Sequence, residues 1–165
     1  MTTILPSPSE FGLPEKFASW RRGQGRAFQQ LLHSERRFVG LAIPTGVGKT
    51  ALYLAYIKAL GLRACTLTAT KGLQSQLERD FPKIVTDVRG MGNYDCLEFG
   101  GRCDDAPCLD GRKCRLRFGG CHYYDAVARA GRAEVPSTNY AFWMSHDQED
   151  LGEFDMLVAD EGHAI

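Results

Sequence analysis

Three groups of residues in this 165-residue chain have the types and spacing to do chemistry. The first is Pro44, Thr45, Gly46, Val47, Gly48, Lys49 and Thr50. Two glycines a residue apart let a backbone close on an anion with its N–H groups turned inward, and a helix starting just after them adds its positive dipole end. Lys49 can then reach β and γ phosphate oxygens, and the Thr50 hydroxyl can ligate Mg²⁺. Residues 43–50 are therefore expected to form a phosphate loop. In it Thr45, Gly46, Val47, Gly48, Lys49 and Thr50 hold a nucleotide such as ATP. Ile43 stands where a small residue is usual. The bland alternative is a glycine turn that happens to precede a helix, and the complete Gly-Lys-Thr ending argues against it.

The second group is Asp160 and Glu161, delivered by the apolar residues Met156, Leu157, Val158 and Ala159 to what should be the carboxyl end of a strand. Open α/β sheets bind ligands at that edge. Asp160 would hold the Mg²⁺ that bridges β and γ phosphates, and Glu161 would orient or deprotonate the attacking water. Such a pair alone is more often a solvated strand exit, and the phosphate loop reverses that balance. Lys49, Asp160 and Glu161 are thus the expected catalytic residues, with Thr50 and Asp160 on magnesium.

The third group is cysteine. Five of the six (Cys96, Cys103, Cys108, Cys114 and Cys121) crowd into one segment, and Cys65 stands alone in an apolar run as a small buried hydrophobe would. Four thiolates can hold a [4Fe–4S] cluster or a zinc ion, and either would supply folding energy to a polar segment. The successive cysteines lack the tight pairs of ribbon-type zinc sites, which favours iron–sulfur over zinc and over unliganded thiols. Arg102, Arg112, Lys113, Arg115, Arg117, Arg129 and Arg132 gather near Phe118, Tyr123 and Tyr124. That combination suits phosphate neutralisation with base stacking, although Asp104, Asp105, Asp110 and Asp125 dilute the charge.

The elements that must position these groups follow from periodicity. Pro6, Pro8 and Pro14 imply an extended opening, then a helix from about Arg26 with Phe28, Leu31 and Leu32 on one face. Residues 38–43 read as a short buried strand, and 50–60 as a helix apolar on nearly every side, stopped by Gly61. Residues 64–68 make a second strand, Leu73, Leu77 and Phe81 a second helical face, and 84–88 a third strand. From 89 to 131 the pattern collapses into Gly, Asp, Arg and Cys, an insertion; it resumes at Asn139 and ends in a strand over 154–159. Alternation of this kind implies α/β architecture, a mostly parallel sheet covered on both faces. The expected divisions are 1–88, the insertion 89–131, and 132–165.

Apolar residues make up 44% and charged residues 24% of the chain, with a formal net charge of zero, so total charge argues for no particular partner. No apolar run reaches membrane-span length and the start has no signal-peptide character. A cytoplasmic or nucleoid-associated protein is expected, neither secreted nor membrane-bound.

Asp160, Glu161, Gly162 and His163 resemble the DEAH-type motif of superfamily-two DNA helicases, with Gly162 in place of the usual alanine. Trp20, Arg21, Arg22, Gly23 and Gln24 resemble the adenine-reading segment of that superfamily, which implies Gln24 as base reader. Thr68, Ala69, Thr70, Lys71, Gly72, Leu73 and Gln74 resemble the motif that holds single-stranded DNA by its backbone. Gly90 to Cys96, then Cys121, His122, Tyr123 and Tyr124, then Asn139 and Tyr140 are similar to the iron–sulfur branch, the XPD/DinG-like helicases. The resemblance implies a RecA-like first motor lobe, a [4Fe–4S] cluster in its insertion, and 5′ to 3′ movement on single-stranded DNA. It points to Cys96, Cys108, Cys114 and Cys121 as cluster ligands, the outer pair by motif and the middle pair by spacing, with Cys103 the extra. It also implies a second lobe supplying an arginine, so the 165 residues, ending just after the acidic motif, are expected to be poorly active alone. Two other readings remain open: a non-catalytic single-stranded DNA-binding module, and a truncated product that needs a partner chain.

Overall fold

A computed structural model describes residues 5–44, 46–146 and 148–162. The expected sites Thr45 and His163 lie outside the described residues. The chain divides into two compact units, Met1–Leu62 and Arg63–Ile165.

In the first unit, helix α1 (Gln24–Leu32) buries Gln24, Phe28 and Leu31. Phe11 and Trp20 stack on Phe28 with ring centroids 5.3 and 4.8 Å away. Leu32, expected on the same face, is turned outward. Helix α2 (Lys49–Leu60) buries Ala51, Leu52, Tyr53, Leu54, Ala55 and Ile57, the all-round apolar surface its sequence implies. Gly61 ends it, its N–H reaching back to Ile57 and Lys58. The strand expected over 38–43 is not there: the segment is irregular, and Phe38 is 85% exposed. The described residues of this unit contain no strand. An apolar run without a ladder to join has no reason to stay extended and covered.

The second unit is a parallel four-stranded sheet with helices. Strands β1 (Ala64–Thr68), β2 (Val85–Asp87), β3 (Val135–Asn139) and β4 (Met156–Ala159) lie in the order β2-β3-β1-β4. Helix α3 (Lys71–Asp80) joins β1 to β2, α4 (His122–Arg132) precedes β3, and α5 (Tyr140–Ser145) follows it. β1 is buried at all five positions, as a strand paired on both edges should be, whereas β4 alternates half-buried and exposed on the sheet's edge. β3 pairs with both β1 and β2. Sequence periodicity missed it because its Val-Pro-Ser-Thr-Asn composition is not strand-like. Beside Val135, its core positions include the small hydroxyl side chains Ser137 and Thr138, both 0% exposed.

Residues 89–131 are not uniformly irregular. Tyr123, Ala126, Val127 and Ala130 share one helical face of α4. All but Ala126 join Val88, Cys96, Cys103, Ala106, Phe142 and Leu151 in a single apolar cluster. The insertion therefore packs into a core that it shares with Val88, Phe142 and Leu151 on either side of it. Arg63 closes the unit. Its Nε donates to Ala133 O at 3.1 Å, and its Nη2 to Gly131 O at 2.7 Å and Leu151 O at 2.6 Å. Its Nη1 donates to Glu153 O, and the guanidinium lies 4.4 Å from the Phe154 ring centroid. Gly131 is required at this junction, since a Cβ there would meet Asp150 O at 2.9 Å.

Candidate functional site: a phosphate loop, an acidic strand end and a thiol cluster

The phosphate loop runs into α2 through Gly48, which caps the helix with a left-handed backbone (φ 89°). Lys49 and Thr50 are the first two helical residues, where N–H groups without helical partners face outward. The loop follows an irregular segment rather than the expected strand, so it is braced by other means. Gln24 Nε2 donates to Val47 O at 2.7 Å and Gly48 O at 3.0 Å, and Arg21 Nη1 donates to Gly46 O at 2.6 Å. A Cβ on Gly48 would sit 2.7 Å from Gln24 Nε2, so this contact needs glycine for space as well as for its φ.

In the second unit, Asp160 continues the line of β4: its N–H donates to Leu67 O of β1 at 2.9 Å. Glu161 follows with φ 56°, the one non-glycine residue in the left-handed region among those described. A backbone conformation of this cost persists where the surroundings enforce it, commonly at functional turns. Tyr140 hooks onto the same point, its hydroxyl donating to Asp160 O at 3.1 Å. Burial first, and then the Asp160 charge, push the Tyr140 phenol upward, keeping it a donor. Asn139 caps α5 by accepting from Phe142 N–H at 2.9 Å and donates from Nδ2 to Gln74 Oε1 at 3.4 Å. The Asn139–Tyr140 pair thus ties β3 to α3 and to the acidic strand end.

Gln74 itself is 0% exposed, donating to Val88 O at 2.7 Å. Its side chain is structural, whereas Thr70 and Lys71 of the same motif are exposed. Thr70 caps α3 by accepting from Leu73 N–H at 3.2 Å.

The cysteines gather. Cys96 and Cys103 are buried in the insertion's apolar cluster, and Cys108 and Cys121 pack against it. Residues 94–103 form a small loop in which Cys96 N–H donates to Gly101 O and Cys103 N–H to Tyr94 O, both at 2.9 Å. The Cys103 thiol is hydrogen-bonded with Cys121; burial, that neighbour, Cys96 and Cys108 together push it up to about 12. Cys108 is raised by burial and then by Cys114. Cys114 is half-buried beside Cys108 but outside the packed group. Among the described residues, no three His, Cys, Asp or Glu side chains are arranged to hold a metal ion as they stand. In chemistry the donors are of the thiophilic kind: two thiols buried in one apolar cluster and two more packed against it. Cys65 is fully buried and its thiol is pushed up to about 12, as expected of a core residue.

The basic surface is thinner than its residue count suggests. Arg115 is paired with Glu98 at 2.8 Å and Arg102 with Asp95 at 3.2 Å. Tyr123, expected to stack bases, is 3% exposed and its ring packs between Tyr94 and Tyr124. Phe118, 96% exposed, stands in the same stretch as the exposed Arg112, Lys113 and Arg117.

A family model described as type III restriction enzyme, res subunit (ResIII), matches residues 17–165. The chain belongs to that family. The ResIII match spans both units, from before α1 to the acidic strand end, and ResIII domains are motors of the superfamily-two helicase type. An α/β, RecA-like lobe with a mostly parallel sheet, and ATP-dependent motor chemistry at that general level, follow from ResIII membership. No curated protein and no solved structure matches the chain. Among the described residues, no helix is long and apolar enough to cross a membrane.

Proposed function

We propose that this chain is the MgATP-binding lobe of an ATP-dependent DNA helicase of the iron–sulfur kind, acting on single-stranded DNA in the 5′ to 3′ direction with a second motor lobe. The observation that carries the nucleotide reading is the braced loop, Gly46 to Thr50, opening directly into the N-terminus of α2. In this reading Lys49 would neutralise the β and γ phosphates, Thr50 and Asp160 would hold the Mg²⁺ that supplies Lewis-acid chemistry, and Glu161 would orient the attacking water. The exposed Phe118 with Arg112, Lys113 and Arg117 is the surface best suited to a single strand, one aromatic face among cations.

The magnesium assignment is tested by titrating the full chain with ATP, with and without Mg²⁺. Asp160→Ala should leave metal-free affinity unchanged and remove the Mg²⁺-dependent gain, roughly an order of magnitude. An Asp160→Ala chain that keeps that gain would separate the acidic motif from the nucleotide site.

For the cluster, the packing favours Cys96, Cys103, Cys108 and Cys121, with Cys103 replacing Cys114 in the quartet expected from motif and spacing. A [4Fe–4S] centre there would cross-link the insertion and supply folding energy that its modest apolar core lacks. Anaerobically purified chain should contain iron and sulfide with broad visible absorption. Cys103→Ser should lose all three, and Cys114→Ser should keep them. The reverse pattern would restore the first quartet, and zinc without sulfide would replace the cluster with a zinc site.

A further inference from the structure

The donor side of the Gln24 side-chain amide is fully engaged. The residue is 4% exposed. Its Oε1 accepts from Arg21 N–H at 2.7 Å, while Nε2, with two hydrogens, meets two carbonyl oxygens, Val47 O and Gly48 O. Pairing with a nucleobase edge needs an amide donor and acceptor presented together, and here the donor side is consumed by the loop. Arg21 extends the same grip to Gly46 O, so three consecutive loop carbonyls are held from one side. A backbone anion cradle requires N–H groups turned toward the ligand, which turns their carbonyls away from it. Side chains that bind those carbonyls set the orientation of the peptide units and so shape the cradle.

We propose that Gln24 and Arg21 are positioning residues that shape the phosphate loop, and that Gln24 does not read the base. The site then recognises the triphosphate and accepts purine and pyrimidine nucleotides alike through this pair. Arg21 is exposed, so its contribution can be removed without opening the core. The inference rests on the reading of residues 46–50 as a triphosphate site.

The test measures binding of ATP, GTP, CTP and inorganic tripolyphosphate to the full chain by calorimetry, with thermal unfolding recorded for each variant. Arg21→Ala and Gln24→Ala should each weaken all four ligands by a similar factor, about fivefold to tenfold per lost bond set. Arg21→Lys, which can still donate to Gly46 O, should recover most of the loss. The unfolding midpoint of the unliganded Arg21→Ala chain should stay at the wild-type value, which separates positioning from a general structural role. Selective loss of ATP by Gln24→Ala, with tripolyphosphate unchanged, overturns the inference and makes Gln24 a base reader. A wild-type chain that binds none of the four removes the triphosphate site and this inference together.

Discussion

Lys49→Ala is expected to weaken MgATP binding by about 2–3 kcal/mol, roughly 30- to 150-fold, because it deletes the charged donor to the phosphates while leaving the loop's backbone intact. Lys49 is the first residue of α2, and alanine has the highest helix propensity of any residue, so the helix should hold. The effect can therefore be read as lost phosphate contact rather than lost structure. Calorimetry with ATP, checked by an unchanged helical circular-dichroism signal, measures it. Unaltered ATP affinity in the variant would mean the loop does not meet phosphate. The same variant decides between a motor lobe and a non-catalytic DNA-binding module: the module keeps its single-strand affinity and its ATP indifference.

The largest stability effect is expected at a residue outside the chemistry. Arg63→Ala removes donors to four backbone carbonyls and the contact with the Phe154 ring. Charge-assisted bonds contribute more than neutral ones, but these carbonyls are partly reached by water, so the net cost should be about 3 kcal/mol. For a unit of this size that lowers the unfolding midpoint by roughly 10 °C or more. Arg63→Lys should recover little, since a single ammonium cannot reproduce a fork that serves carbonyls at Gly131, Ala133, Leu151 and Glu153. A shift of only a degree or two by differential scanning fluorimetry would show that the fork is dispensable.

The helix opening at Lys49 and the strand ending beside Asp160 were readable because their constraints are local. A glycine just before a lysine, a helix opening at that lysine, and an apolar run ending in two acids are each complete within a few residues. β1 and α2 were equally plain, since a segment apolar on every side must be packed on every side to stay out of water. β3 was hidden because its strand character comes from partners: Val135 lies beside Val85 and Ser137 beside Thr66, both distant in the chain. The helical face of α4 carried its i, i+3, i+4, i+7 spacing all along, masked by alanines and arginines among the cysteines. Residues 38–43 failed the opposite way, looking like a strand yet having no ladder within their unit. The surroundings of Gln24, Gln74 and Tyr123 could not be read from residue type, because only the fold reveals that backbone carbonyls hold the two amides and that the rings of Tyr94 and Tyr124 cover Tyr123.

The sheet order has a consequence for how the chain is made. β1, buried at every position in the finished sheet, leaves the ribosome before both strands that flank it, which are translated about 70 to 90 residues later, the spacing that also separates Arg63 from Ala133 and Asp155. Until then the nascent polypeptide carries a bare, sticky ribbon with two unsatisfied edges, and the cysteine-rich stretch must emerge and arrange itself in the interval. Slow translation through that stretch, or a holdase that shelters the early segment, should govern the yield of soluble protein more strongly than the stability of the finished molecule does.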